Sequence, residues 1–209
     1  MWQYQTDGAV VSSPTLSPDG TTLFVGSTDK GIYALKTNDG SFVWKYTTQG
    51  IVSSSPTLSP AGVRLFVGSA DTYVYALNVI DGSQLWHHKT GGGVYSSAVM
   101  SPNGTKLFIG SNDGNVYALL NADGSQLWHY KTGDSVESNP TLSADGATLF
   151  VGSYDGNVYA LKTADGSLVW KYQTGGEVYS SPTLSADGAT LFVGSGDGNV
   201  YALTTGEYI

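Results

Sequence analysis

Short apolar runs separated by glycine-containing turns make up most of this sequence. Residues 65–69 read Leu-Phe-Val-Gly-Ser, and a turn leads to Val-Tyr-Ala-Leu at residues 74–77. A continuous apolar run of this length is typical of a strand covered on both faces. After the next turn, residues 85–89 alternate in character, as in a strand with one face in water. No apolar stripe with the period of a helix persists, so the pattern predicts strands and no helix.

The whole pattern repeats every 42 residues. Equivalent units begin at Leu23, Leu65, Leu107, Leu149 and Leu191. Residues 107–148 and 149–190 are identical at 30 of 42 positions. Each unit carries four strand signals, because an extended stretch such as residues 53–59 precedes the two apolar runs. Four short strands per unit, joined by Asp-Gly and Asn-Gly pairs that supply the positive φ of hairpin turns, predict one blade of a β-propeller.

The sequence therefore predicts an all-β protein, a β-propeller of five four-stranded antiparallel blades in a single domain. The predicted blade units are residues 7–48, 49–90, 91–132, 133–174, and 175–209 together with 1–6. We expect Trp2–Thr6 to complete the last blade as its fourth, outer strand, which closes the ring and removes an unpaired edge. In the alternative, the two part-blades pair between chains, which gives a swapped oligomer, or they leave an open arc.

The composition excludes several classes of protein. The 209 residues carry a net charge of −8 and no cysteine, so there is no disulfide framework and no thiolate metal site. No cluster of Lys and Arg interrupts the acid excess, which excludes nucleic acid as a partner. No apolar stretch approaches the roughly 18 residues of a membrane helix, so we expect no membrane insertion. The first residues lack the pattern of a signal peptide, and no export step can be read from them.

A tryptophan motif recurs at the end of the repeat. In one copy it consists of Ala34, Gly40 and Trp44. Alanine and glycine precede the tryptophan at the same spacing in the copies that end with Trp86, Trp128 and Trp170. Together with the preceding Gly-Ser-x-Asp-Gly-x-Val-Tyr-Ala-Leu, the motif resembles the tryptophan-docking repeat of the pyrroloquinoline-quinone (PQQ) propeller superfamily. The resemblance implies that each indole ring packs between neighbouring blades, where the glycine allows close approach to backbone. The structural residues so implied are Trp2, Trp44, Trp86, Trp128 and Trp170.

Quinoprotein dehydrogenases of that superfamily use a quinone held by calcium, and this sequence lacks the groups for it. Calcium takes six to eight oxygen ligands at one place, whereas the aspartates here are single turn residues on separate blades. The aspartates of the second turn are Asp29, Asp71, Asp113, Asp155 and Asp197. His87 and His129 stand where other copies have Lys or Gln, as on an exposed strand. We therefore predict no enzyme, no cofactor and no metal site.

The copies differ most at two positions that a propeller places on one face. The head of the inner strand reads Val11, Ser53, Tyr95, Glu137 and Tyr179. The position before the second turn's aspartate reads Thr28, Ala70, Asn112, Tyr154 and Gly196. The candidate ligand face consists of Tyr95, Glu137, Tyr179, Asn112 and Tyr154, whose aromatic, acidic and amide groups suit a small polar ligand, a glycan or a peptide. In the alternative interpretation these are exposed loops that diverged neutrally after duplication.

The predicted function is that of a non-enzymatic PQQ-like propeller acting as a binding or interaction scaffold. Its partner is an unknown protein, peptide or glycan, and we expect a monomer, with a swapped oligomer as the alternative. Three other hypotheses stay open: a lectin-like glycan-binding propeller, a fragment of a larger quinoprotein-type propeller, and an engineered repeat protein. The resemblance implies a location outside the cytoplasm, periplasmic or secreted.

Overall fold

A computed structural model describes residues 1–206 of the chain and shows an all-β fold. The strands form antiparallel sheets whose neighbours follow the order of the chain. The described residues contain no helix, and so none that is long and apolar enough to span a membrane. The predicted fold class, all-β with antiparallel sheets, is confirmed.

The chain divides into two compact units between Ala98 and Val99. The first unit holds two four-stranded sheets. Their strands are β1 (Thr15–Leu16), β2 (Thr22–Gly26), β3 (Gly31–Lys36), β4 (Phe42–Thr47), β5 (Thr57–Leu58), β6 (Arg64–Gly68), β7 (Tyr73–Asn78) and β8 (Gln84–Lys89).

The second unit holds two further four-stranded sheets and one sheet of three strands. Their strands are β9 (Val99–Met100), β10 (Lys106–Gly110), β11 (Asn115–Leu120), β12 (Gln126–Lys131), β13 (Thr141–Leu142), β14 (Thr148–Gly152), β15 (Asn157–Lys162), β16 (Leu168–Gln173), β17 (Thr183–Leu184), β18 (Thr190–Gly194) and β19 (Val200–Thr204). Each predicted blade unit contains one sheet, although the last unit extends over residues 207–209, which lie outside the described residues. The single domain stays a prediction.

The first strand of each sheet is shorter than the sequence indicates. Residues 53–59 are predicted to be extended, but the hydrogen-bonded strand is only Thr57–Leu58. Before it, Ser54 Oγ accepts a hydrogen bond from the Gly68 N–H and donates one to the Gly68 carbonyl, both at 2.8 Å. A buried serine side chain thus satisfies the backbone groups that a longer strand would have paired.

The middle strands form the core, as continuous apolar runs predict. Phe24, Ile32 and Ala34 are each fully buried. Ala34 lies opposite Trp44 across the β3–β4 pair, and the register shifts beside it, between Ala34 and Leu35. The Trp44 ring is buried next to this bulge, with its centroid 5.8 Å from that of the Phe24 ring. The same bulge recurs in the other four-stranded sheets.

Tryptophan rings contact the neighbouring sheet within each unit. Trp44 Nε1 donates a hydrogen bond to the Val79 carbonyl at 3.0 Å, and its ring lies on Gly82. Trp128 contacts Thr163 and Gly166 in the same way. Trp170 donates to the Thr205 carbonyl at 3.3 Å. Trp86 is buried, and its ring centroid lies 5.7 Å from that of Phe66.

Trp2 takes the same position on the first sheet, donating to the Thr37 carbonyl at 2.8 Å with its ring on Gly40. The described residues Trp2–Thr6 nevertheless form no strand, and the sheet β17–β18–β19 has three strands. Ring closure by this segment therefore stays a prediction.

Two glycines with the same backbone conformation allow the effect of the tryptophan contact on stability to be measured apart from the effect of backbone strain. Gly82 and Gly20 both have φ of +70°, but an added Cβ at Gly82 would lie 2.6 Å from the Trp44 ring, whereas at Gly20 it meets nothing within 4 Å. We expect Gly20→Ala to lower the free energy of unfolding by about 1 kcal/mol, from strain alone. Gly82→Ala should lower it by about 3 kcal/mol, because the clash adds to the strain. Urea denaturation of both variants measures the difference, and equal losses would contradict a packing role for Trp44 on Gly82.

Candidate ligand-binding site

Four of the five residues of the predicted ligand face lie in the second unit. Glu137 and Tyr179 precede the short strands β13 and β17, while Asn112 and Tyr154 lie in the turns that follow β10 and β14. Tyr95 lies in the first unit, ahead of β9. The site is therefore described from the four residues of the second unit.

Hydrogen bonds to backbone fix the segments that carry these side chains. Ser180, next to Tyr179, donates from Oγ to the Gly194 carbonyl at 2.7 Å and accepts from the Gly194 N–H at 2.9 Å. Ser138, next to Glu137, accepts from the Gly152 N–H at 3.1 Å. A serine recurs next to each variable position, and its hydrogen bonds to backbone fix the start of the inner strand. The amino acid at the variable position can therefore differ between copies.

Glu137 joins the turns of two neighbouring sheets. Its Oε1 accepts a hydrogen bond from Asn112 Nδ2 at 2.9 Å, and its Oε2 accepts one from the Tyr154 hydroxyl at 3.0 Å. Asn112 belongs to the sheet of β9–β12, whereas Tyr154 belongs to the sheet of β13–β16. Both carboxylate oxygens are therefore held by neutral donors from opposite sides, which fixes the orientation of the charge.

Two tyrosines form an aromatic surface next to this carboxylate. The ring centroids of Tyr154 and Tyr179 are 5.8 Å apart, with 41° between the ring planes. Tyr154 is half-buried, whereas Tyr179 is 53% exposed. The Tyr179 ring is exposed to solvent, and the Tyr154 hydroxyl donates to Glu137. The site therefore combines an oriented carboxylate with an exposed aromatic ring.

The electrostatic environment of the site is negative. Burial and the hydrogen bond to Glu137 raise the pKa of Tyr154 to about 12, and the charge of nearby Glu177 acts in the same direction. Among residues 1–206, Lys45 Nζ lies 3.6 Å from Asp29 Oδ2 in the first unit. No Lys, Arg or His within that range pairs with Glu137, so its negative charge is available to a ligand.

Tyr95 occupies the equivalent strand head in the first unit. Its ring is half-buried and lies so close to Gly93 that an added Cβ there would approach Tyr95 Cε2 to 2.8 Å. Tyr95 as part of the ligand face stays a prediction. Glu177, by contrast, is not among the residues that the sequence singles out. Its equivalents in the other copies are Ala9, Ile51, Gly93 and Ser135, and only the fold shows that its charge acts on Tyr154.

The aspartates of the second turn take part in more bonds than a turn requires. Asp155 accepts from the Asn157 N–H at 2.9 Å, from the Tyr159 hydroxyl at 2.5 Å and from the Gly133 N–H at 2.7 Å. Burial opposes ionisation of Asp155, but these donors outweigh it and hold its pKa below the ordinary value. The hydrogen bond from the Gly133 N–H, 22 positions earlier, links the segment that precedes the sheet to this turn. The sequence of the turn by itself does not predict this link. Within residues 1–206, no three His, Asp or Glu side chains group together to hold a metal ion.

Comparison with known proteins identifies the class of the fold. The crystal structure of BamB from Moraxella catarrhalis superposes with a TM-score of 0.83 at 20% sequence identity, covering 99% of this chain and 62% of that chain. The similarity shows that the fold is that of a β-propeller. The chain spans about 62% of the length of that BamB chain.

The sequence itself matches a family model described as "Outer membrane protein assembly factor BamB", over residues 1–142 and 121–208. The chain belongs to this family of PQQ-like repeat proteins, which confirms the resemblance carried by the tryptophan motif. No curated protein sequence matches the chain.

The pKa of Tyr154 tests the contact with Glu137. Glu137→Gln removes the charge while keeping the shape, so we expect the pKa of Tyr154 to fall from about 12 toward the ordinary value of 10.0. It should stay above 10.0, because burial is the largest cause of the shift. The measurement is an NMR pH titration of tyrosines labelled with 13C at Cζ, assigned with Tyr154→Phe. Tyr159, whose hydroxyl bonds Asp155 instead, is the internal control and should titrate as in the wild type. An unchanged Tyr154 pKa would show that the two groups do not interact in solution.

Proposed function

We propose that this protein is a non-enzymatic scaffold that binds another protein or a peptide through the face around Glu137. The observation that carries the proposal is the oriented carboxylate of Glu137, held by Asn112 and Tyr154 beside the exposed ring of Tyr179. Carboxylates, amides and tyrosines are the groups that anchor interfaces, since they combine hydrogen bonding with large contact area. The family description, an assembly factor, supports a binding role.

The contacts of the turn aspartates argue against a quinone enzyme. Asp155 and Asp197 each accept hydrogen bonds from two backbone N–H groups and one tyrosine hydroxyl. Their lone pairs are thus directed at their own repeats rather than at a shared calcium ion. The proposal therefore assigns no reaction to the chain, in accord with the assembly-factor description of the family.

We further propose that the protein works outside the cytoplasm, in the periplasm or as a secreted protein. The support is the family description, which refers to assembly of outer membrane proteins. The absence of cysteine fits either location equally, and the turn-rich all-β fold needs no disulfide to bury its core.

Ring closure is proposed from the unequal exposure of the five sheets. Phe192 is 39% exposed and Val200 78% exposed, whereas Phe24, Ile32 and their other equivalents are fully buried. In the other sheets the fourth-strand tryptophan packs on this phenylalanine. We propose that Trp2–Thr6 supplies the fourth strand beside β19, within one chain or, as the runner-up, between two copies.

Closure is tested by mass and hydrogen exchange together. A mass near 21.9 kDa by light scattering, with slow amide exchange in β19, is expected for closure within one chain. A multiple of that mass with slow exchange supports pairing between copies. A monomer whose β19 exchanges rapidly would overturn both forms of the proposal.

The binding role is tested by peptide selection. A random peptide library displayed on phage is selected on the wild-type protein, and the selected peptides are measured against the triple variant Tyr95→Ala, Glu137→Ala, Tyr179→Ala. We expect binding to weaken by a factor of about ten or more, because tyrosines and buried charged contacts carry most interface energy. Glu137 and Tyr95 are half-buried, and Glu137 accepts two hydrogen bonds, so the triple variant is expected to lose some stability. Binding is therefore measured at a temperature at which circular dichroism shows the variant to be folded.

The matched control carries three substitutions on the exposed outer strands, His87→Ala, His129→Ala and Lys171→Ala, and should bind as the wild type does. Equal loss in both variants, or a selection that enriches no peptide, would contradict the proposal. A glycan array run in parallel tests the lectin-like alternative, which the exposed Tyr179 ring favours, since tyrosine platforms suit sugars. Glycan binding without peptide binding would replace the scaffold by that alternative.

A further inference from the structure

The site around Glu137 offers hydrogen-bond acceptors with few free donors. Asn112 Nδ2 and the Tyr154 hydroxyl already donate to the two oxygens of Glu137. A carboxylate oxygen has two lone pairs, so each oxygen of Glu137 can accept one more hydrogen bond. Glu137 therefore still offers acceptors, and a ligand group that binds to it must be a hydrogen-bond donor.

Asn112 supplies an independent sign of an unfilled acceptor. Its amide must direct Nδ2 to Glu137, because an ionised carboxylate only accepts, and this fixes Oδ1 on the other side. Asn112 Oδ1 is buried and has no hydrogen-bond partner among residues 1–206. A buried carbonyl oxygen without a donor lowers the stability of the folded state, so a ligand group that donates to it gains binding free energy.

The charge of the cluster selects a cation. Glu137 is half-buried, and within residues 1–206 it lacks a basic partner. Glu177 adds a second negative charge close enough to act on Tyr154. Glu137 is partly buried, which weakens the solvent screening of its charge, whereas Glu177 is exposed. The charge of Glu137 therefore favours a positive ligand group more strongly than an exposed carboxylate does.

The aromatic pair narrows the choice between cations. The Tyr179 ring is exposed, and its centroid lies 5.8 Å from that of Tyr154, whose hydroxyl bonds Glu137. A planar guanidinium stacks on a tyrosine face and at the same time directs several N–H groups at a carboxylate and an amide oxygen in its plane. A lysine ammonium is a compact, strongly hydrated charge and matches only the carboxylate.

We propose that Glu137, Asn112 Oδ1 and Tyr179 form a pocket for the guanidinium of an arginine side chain in a partner protein. The inference rests on the proposed scaffold function and specifies the chemistry of the same face. The guanidinium donates to Glu137 and Asn112 Oδ1 and stacks on Tyr179, while Tyr154 holds Glu137 in place.

The position of Glu137 carries a charge in one of the five copies only. The position of Glu137 is occupied by Val11, Ser53, Tyr95 and Tyr179 in the other copies, and none of these carries a charge. A single arginine anchor per chain follows, in contrast to a lectin-like propeller with one equivalent site in every blade.

The test uses three short peptides that differ at one residue: acetyl-Gly-Arg-Gly-amide, its citrulline analogue, which is neutral and has the same shape, and its lysine analogue. Binding to the full chain is measured by NMR titration at low salt, following the side-chain amide of Asn112 and the rings of Tyr154 and Tyr179. We expect the arginine peptide to bind about tenfold more tightly than the citrulline peptide, with lysine between them.

Charge-matched variants separate the pocket from general attraction by the acidic protein. Glu137→Gln removes one negative charge at the pocket, and Asp165→Asn removes one from an exposed turn of the same unit. We expect Glu137→Gln to abolish the preference for arginine over citrulline and Asp165→Asn to leave it intact. Equal affinity for arginine and citrulline in the wild type, or equal effects of the two variants, would overturn the proposal.

The outcomes also separate this inference from the scaffold function. Peptides selected from the library that need Tyr179 but bind equally well after arginine is replaced by citrulline would overturn the arginine pocket and leave the scaffold standing. Arginine binding that depends on Glu137, without any selected peptide, would support the pocket and contradict the scaffold.

Discussion

The contact between an indole ring and a glycine of the next sheet is the constraint on which the rest of the structure depends. Trp44 reaches the sheet of β5–β8 because Gly82 has no side chain and takes a positive φ. The indole N–H of Trp44 also donates a hydrogen bond to the Val79 carbonyl. The same residue therefore fills the space between the sheets and supplies a donor to a carbonyl in the turn after β7. Repetition of this contact in each unit sets the distance between neighbouring sheets, and every other interaction between their turns relies on that distance.

At the ends of the strands, where hydrogen bonding between main chains stops, polar side chains form hydrogen bonds with the backbone groups that remain. Ser54 satisfies both backbone groups of Gly68, and Asp155 accepts from the Gly133 N–H as well as from its own turn. These residues recur because each repeat presents the same unsatisfied backbone groups at the same places. Because these hydrogen bonds fix the backbone, the side chains at the neighbouring positions are not needed for it. Different amino acids can therefore occupy those positions with little loss of stability.

The candidate site occurs where variable positions of neighbouring repeats meet. Glu137 stands beside an anchoring serine, and the turns of two adjacent sheets bring Asn112 and Tyr154 to its two oxygens. The arrangement places a negative charge, held by two neutral donors, where water is partly excluded. The proposed binding role rests on this site and not on the fold, since propellers of one architecture serve many purposes.

The sequence alone determined the two middle strands of each sheet, the 42-residue repeat, the sheet order and the tryptophan motif, because these follow from local periodicity and from spacing within one repeat. It overestimated the length of the inner strands, and the predicted strand Trp2–Thr6 is not formed. It also singled out Glu137, Asn112, Tyr154 and Tyr179 as positions where the copies differ. The tertiary structure alone decided that Glu137 bonds residues of two sheets, that Glu177 lies near Tyr154, and that serine side chains replace the ends of the inner strands. These features depend on which turn meets which side chain across a gap of a few ångströms, and that distance is set by packing between sheets, which no periodicity along the chain encodes.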